Sequence, residues 1–537
     1  MRTMKRLPLL IVVALMWLTT LTPFTTAQAQ APEAGVLRTS IASDPVLDPA
    51  LVPDTYSGIM IKNLMEGLTR PDAEGVPEAA MAESWDVSED GLVYTFHLRE
   101  AQWTNGDPVV AGDFEYAWKR VLNPDTASPK AGDLFEIKNA QAYYSGEAAL
   151  EDVGVKALDD KTLEVTLENP TPYFLDLTAR TTVMYPVNPR AVEEDENWAT
   201  DAGEAYVTNG PFTLSEWEHN SYFTFAKSPT YWDADNVQLE RAEVQIIEAE
   251  STANAAYQAG EIDFVGIPFN TVSLDALDTY RADGTLQTVD FAALYEYKMN
   301  VTDPVLANKN IRKALAYSID RQTLIDNITK ANEKPALGLV SPAMRGFEDS
   351  NNYFTDADFE TAKEYLQQGL EELGMSDSSE LTVTLTTNTS ETHGAIAQYL
   401  QAGWVNNLGI NVEIANQEWQ VHLDNLLTLN YQLGRLGSVA EYNDPNAFLE
   451  MYYEPDNGMN RTGWENADYQ ALLDEASVET DAEKRVELLK EAEAIFMEEM
   501  PTVPVYFYSN AYVARDYVQN MHPDAFVDVQ LKHVVVE

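Results

Sequence analysis

The chain reads as a mixed α/β protein of two lobes, and three observations predict it. The stretch before Asp290 is rich in short alternating segments that suit strands, with turn residues between them. Beyond Asp290 helical and strand periodicities interleave: helices over 310–329, 361–373 and 392–408, strands over 381–387 and 410–415. A long charged helix, Asp481 to Met500, then stops at Pro501, and Val503 to Tyr508 returns as a strand. The chain thus crosses between two halves near 290 and again near 500. It has no internal repeat, low-complexity tract or free linker.

The first strand is Val36–Ile41. Leu47-Asp48-Pro49 breaks it, and Ser57 to Leu68 has helical spacing. Leu92 to Leu98 alternates as a strand, Asn105-Gly106-Asp107-Pro108 is a turn, and Gly112-Asp113 caps a helix through Val121. Thr162–Leu167 follows as a strand after Asp159-Asp160. Asn209-Gly210-Pro211 turns into Phe212-Thr213-Leu214, and Tyr222–Ala226 alternates again.

Arg2, Lys5 and Arg6, the apolar Leu7–Leu18 and the small-residue Ala27-Gln28-Ala29 form the three regions of a secretory signal, predicted over 1–29. The expectation is a soluble exported protein, in a compartment outside the inner membrane. There is no cysteine, so no disulfide and no cysteine-borne lipid anchor is expected. The net charge of −53, from 87 acidic and 34 basic residues, argues against nucleic acid as a partner. With 45% hydrophobic residues the chain still has a normal core, so an acidic surface suited to a saline or alkaline exterior is expected. No G-x-S-x-G, H-E-x-x-H, P-loop or G-x-G-x-x-G occurs, and six histidines without cysteine offer little to a transition metal. Neither catalysis, cofactor nor metal is expected.

The stretch 416–445 is the candidate binding segment. Trp419–Leu429 has apolar positions at helical spacing, and Tyr431–Gly437 returns to a strand that carries Arg435. The small residues of Gly437-Ser438-Val439-Ala440 let another backbone approach, and Glu441 follows. Arg435 and Glu441 on an extended segment lie up to about 20 Å apart, a span that suits the two ends of a zwitterionic peptide. Read alone, the segment fits ordinary structural ion pairs as well.

Longer motifs bear on that choice. GLVYTFHLREAQWTNGDPVVAGDFEYAWKRVLNPDTASP, VGVKALDDKTLEVTLENPTPYF, VTNGPFTLSEW, SPTYWD, YQAGEID and IRKALAYSIDRQTLI resemble, at near-equal spacing, the extracytoplasmic peptide-binding proteins, family 5 solute-binding receptors of peptide-importing ABC transporters. The resemblance runs from about Thr39 to the C-terminus. It implies a bilobal periplasmic-binding-protein fold with mixed β-sheets, in a three-domain variant with two hinge crossings. Domain I would comprise 30–68, 185–290 and 501–537, an inserted domain II 69–184, and domain III 291–500.

The same resemblance implies which residues meet a peptide. Glu441, where relatives carry Asp, would take the ammonium and Arg435 the carboxylate. Lys330 and His393 would meet carboxylates of peptides of other lengths. Gly437, Ser438 and Val439, with Asp54 and Thr55 opposite, would pair with the ligand main chain. Trp419, Tyr257, Tyr295 and Tyr297 would wall the cleft. Ser438 stands where relatives have Trp, Leu426 where they have Arg, and Pro53 where they have Glu, which implies reshaped side-chain pockets. The implied partners are short peptides and the membrane permease subunits of an ABC transporter, with the receptor a monomer. Receptors for dipeptides, sugars or metal chelates, and a peptide-binding chaperone, stay open as alternatives.

Overall fold

The structure, a computed structural model, describes residues 33–537 apart from 73, 74, 268, 351, 441, 456, 457, 480 and 522. The expected signal segment and Glu441 lie outside the described residues. The protein is bilobal and mixed α/β. Its first lobe is built on two four-stranded sheets. In one, Val36–Ile41 runs parallel to Arg241–Ile246, followed in order by Tyr222–Lys227 and Phe212–Glu218. The other is antiparallel, in the order Ala82–Val87, Val93–Leu98, Thr162–Thr166 and Val155–Asp159.

The helix Ala111–Leu122 lies on this second sheet because Phe114, Ala117, Trp118 and Val121 recur at helical spacing and all are buried. Asp113 caps it differently from the expectation. It sits inside the first turn, and its carboxylate reaches back to the Val110 N–H at 3.0 Å while accepting from Trp103 Nε1 at 2.8 Å.

The second lobe is built on a seven-stranded sheet. Its order is Phe264–Gly266, Thr502–Ala514, Gln287–Met299, Leu433–Val439, Thr382–Asn388 and Asn411–Gln417, with Lys334–Pro335 added beside Thr502–Ala514. Near 290 and 500, where the crossings are expected, lie two thirteen-residue strands, Gln287–Met299 and Thr502–Ala514, which pair antiparallel with each other. Their register shifts between Asp290 and Leu294, which interrupts the ladder there.

The helix expected over 310–329 is broken. Lys309–Tyr317 ends before Ser318, and Asp320 caps a new short helix by accepting from the Thr323 N–H at 2.9 Å. The last turn is a π-helix that ends at Lys330 with φ 56°.

The helix Ala482–Glu499 turns one carboxylate into the core of this lobe. Glu493 is fully buried and accepts from the Leu339 and Val340 N–H groups, both at 2.8 Å, and from the Tyr353 hydroxyl at 2.7 Å. Burial outweighs these donors and pushes its carboxyl up to about 7.

The native state therefore holds a proton that the unfolded chain releases above its ordinary carboxylate value. The resulting stability is present at acidic pH and lost as pH rises toward 7. Glu493→Gln keeps an acceptor for both N–H groups and removes the titration. From pH 5 to pH 8 the variant should gain on wild type by of the order of 3 kcal/mol in denaturant unfolding. Parallel stability curves would show that Glu493 stays ionised.

Candidate functional site

Arg435 sits on Leu433–Val439, opposite Tyr297 on the neighbouring strand. Alternation turns Arg435 and Gly437 to one face of the sheet and Leu436 and Ser438 to the other. The Arg435 side chain is only 9% exposed. Its guanidinium lies 4.7 Å from the centre of the Tyr295 ring, and one terminal nitrogen donates to the Tyr508 hydroxyl at 3.0 Å. Among the described residues its Nε has no hydrogen-bond partner and no carboxylate forms an ion pair with it. A buried cation without a counter-charge costs several kcal/mol unless something fills the place.

The surroundings are aromatic and neutral. Tyr295 stacks on Tyr506 at 4.8 Å, Tyr508 lies 5.1 Å from Tyr506, and Phe291 lies 6.2 Å from Tyr508. His393, in the first turn of the helix Glu391–Leu408, lies within 3.3 Å of the Tyr295 hydroxyl through Nδ1. Burial, and then the Arg435 charge, push its imidazole down to about 4, so it is neutral at ordinary pH. Among the described residues, the acid paired with this strand on the neighbouring one, Glu296, faces the other way. Glu296 accepts from Ser438 Oγ at 2.6 Å and pairs with buried Lys298 at 3.3 Å.

Beyond Gly437 the strand opens onto space between the lobes. Val439, 46% exposed, borders a cavity of about 870 Å³ and a smaller one of about 150 Å³, which also share Asp133 and Thr181. Phe291 and Asp54 line the smaller one. In the lining of the larger one, Tyr173 stacks on Tyr442 at 4.3 Å and 14°.

Of the residues singled out in the sequence, Arg435, Gly437, His393, Tyr295 and Tyr297 come together in this group. Val439 and Asp54 border the cavities. Asp54 caps the helix Thr55–Leu64 through the Ser57 N–H at 2.8 Å. Thr55 and Trp419 each open a helix, and their side chains are outside the description. Lys330 is part-exposed at the end of its helix, with Nζ 3.2 Å from Asp278. Tyr257 is buried in a separate cluster, stacked against the Arg515 guanidinium at 4.2 Å. Ser438 turns its side chain into the core, and Leu426 is fully buried against Gly434, where an added Cβ would meet it at 2.2 Å. Tyr506, Tyr508 and His422 were not singled out. Their partners lie on other strands, and nothing in their local spacing marks them.

The sequence profile of the bacterial extracellular solute-binding proteins, family 5 (middle region), matches residues 76–460. The oligopeptide-binding protein OppA of Bacillus subtilis is 46% identical over 481 residues, 89% of this chain and 88% of that protein. Among solved structures, the murein tripeptide-binding protein MppA in its unliganded open form matches with a TM-score of 0.82 and 30% identity, covering 94% of this chain and 98% of that one. The OppA of Haemophilus influenzae in complex with the peptide RPPGFSPFR gives 0.73 at 28% identity, covering 94% and 100%.

A cation held without its counter-charge should be a liability to the empty protein. Arg435→Met keeps an unbranched apolar stem over Tyr295 and removes the charge. The ligand-free variant should melt at or above the wild-type temperature in calorimetry. A loss of more than about 2 kcal/mol, the size typical of a broken structural ion pair or core truncation, would mean that Arg435 is a structural residue.

Proposed function

The chain belongs to the bacterial extracellular solute-binding proteins of family 5, and from that premise we propose that it captures short oligopeptides between its lobes for import by an ABC transporter. The observation that carries this reading is the buried Arg435, whose guanidinium has no carboxylate among the described residues and whose strand ends at Val439 on the two cavities between the lobes. A peptide's terminal carboxylate is the complement of that group. Glu441, six residues on, meets the ammonium, while His393 and Lys330 serve carboxylates of other lengths. Gly437–Val439 adds the ligand as a strand, which binds what all peptides share and leaves their side chains to the cavity. Tyr295, Tyr297 and Trp419 wall the cleft, and Asp54 and Thr55 face it from the other lobe.

The proposed domains are 30–68 with 185–290 and 501–537, the inserted 69–184, and 291–500. Closure turns on the paired strands at the two crossings, where the interrupted register leaves the ladder least constrained. The better superposition on an open unliganded relative than on a peptide complex supports an open, ligand-ready arrangement. The protein works in the periplasm as a soluble monomer, delivers peptide to permease subunits, has no nucleic-acid partner, and catalyses nothing.

Native mass spectrometry of the purified protein tests the class, and scattering tests the closure. Co-purified peptides of a few residues are expected, and saturation with them should lower the radius of gyration. A sugar, a metal chelate or hydrolysed products in their place would overturn the reading.

A further inference from the structure

The strand Leu433–Val439 is paired along its whole length with Gln287–Met299, from Met299 opposite Leu433 to Ala293 opposite Val439. On its other side it pairs with Thr382–Asn388 at only two positions, Leu433 and Gly434. From Arg435 onward that side is an open sheet edge among the described residues. In an antiparallel ladder, alternate residues direct their main-chain groups to the partner and away from it. The Ala440 N–H donates to the Ala292 carbonyl across the paired side. By parity Leu436 and Ser438 also face that partner, and Arg435, Gly437 and Val439 face the open edge.

One of those three positions is taken. His422, fully buried on the helix Trp419–Leu427, has Nε2 2.7 Å from the Arg435 carbonyl oxygen. A carbonyl only accepts, so Nε2 carries the proton. Burial also holds this imidazole neutral.

We infer that His422 is the end stop of the peptide-binding edge: by occupying the Arg435 carbonyl it limits an added strand to Gly437 and Val439, so that the ligand finishes beside the Arg435 guanidinium. The inference rests on the peptide-binding reading. Gly437 and Val439 are about 7 Å apart along the strand, so the free edge is short. A ligand that overran it would meet a carbonyl already bonded, and its own N–H would be left unpaired in the cleft, which is unfavourable. His422 therefore sets the ligand's register and length through the Arg435 main chain. His422 is in this sense a positioning residue.

The test is calorimetry with the all-alanine peptides from trialanine to heptaalanine on wild type, His422→Gln and His422→Phe, with far-UV dichroism confirming the fold of each. Gln keeps an N–H donor for the carbonyl, whereas Phe fills the space and frees the acceptor. Wild type should prefer one length. His422→Phe should shift the affinity ratio at least fivefold toward peptides one or two residues longer, and His422→Gln should keep the wild-type profile. A Phe variant that weakens all lengths by one common factor would overturn the inference and leave a structural histidine. So would a Gln variant that shifts as far as Phe. Failure of wild type to bind any of the peptides would instead strike the peptide-binding reading itself.

Discussion

The site is organised around a buried guanidinium that has no counter-ion among the described residues. Removing such an ion from water costs several kcal/mol after relaxation. The Tyr295 face returns about 0.5–2 kcal/mol and one hydrogen bond to Tyr508 about 1.5–3. Together they offset about 2–5 kcal/mol of that cost. Glu296, two strand positions from Lys298 on the adjacent strand, would be the natural counter-ion, but it points to the opposite face and is already held by Lys298, Tyr452 and Ser438. The two faces of one sheet thus hold opposite solutions. One is a satisfied buried ion pair that belongs to the core, and the other a cation with no carboxylate partner among the described residues.

Everything near Arg435 keeps that arrangement dry and positive. Tyrosines 295, 506 and 508 exclude water while presenting hydroxyls rather than charges. His393 is held neutral by burial and by Arg435 itself, so the empty site carries one positive charge and not two. A carboxylate arriving there would offset the repulsion that keeps His393 unprotonated, which couples ligand and proton at the same spot. The rest of the chain is acidic, with 87 acidic residues against 34 basic, which gives this cation added contrast.

Much of this was legible in the sequence, for reasons that are local. Val93–Leu98 alternates strongly enough to show its strand, and the strands read at 36–41 and 431–437 lie at or close to Val36–Ile41 and Leu433–Val439. What escaped was set by pairings across long separations. Ser438 looks like a small residue facing a cleft, yet its partner is Glu296, 142 positions away. The helix over 310–329 has an unbroken apolar period, but the Asp320 cap ends it, and Arg321 then buries its guanidinium against the Pro504 carbonyl. Leu426 reads as one more apolar helix position, and only its fit over Gly434 shows why that glycine carries no side chain. His422 has no local signal, because its role comes from the register of three strands around it.

The central claim is that the Arg435 charge is kept for a ligand's carboxylate. It is tested most directly by titrating wild type and Arg435→Met with one short peptide, as the free acid and as the C-terminal amide. The account predicts a coupling of about 3–5 kcal/mol between the guanidinium and the carboxylate. Amidation should weaken binding to wild type on the order of a hundredfold or more and change binding to Arg435→Met little. Equal discrimination between acid and amide by the two proteins would contradict it.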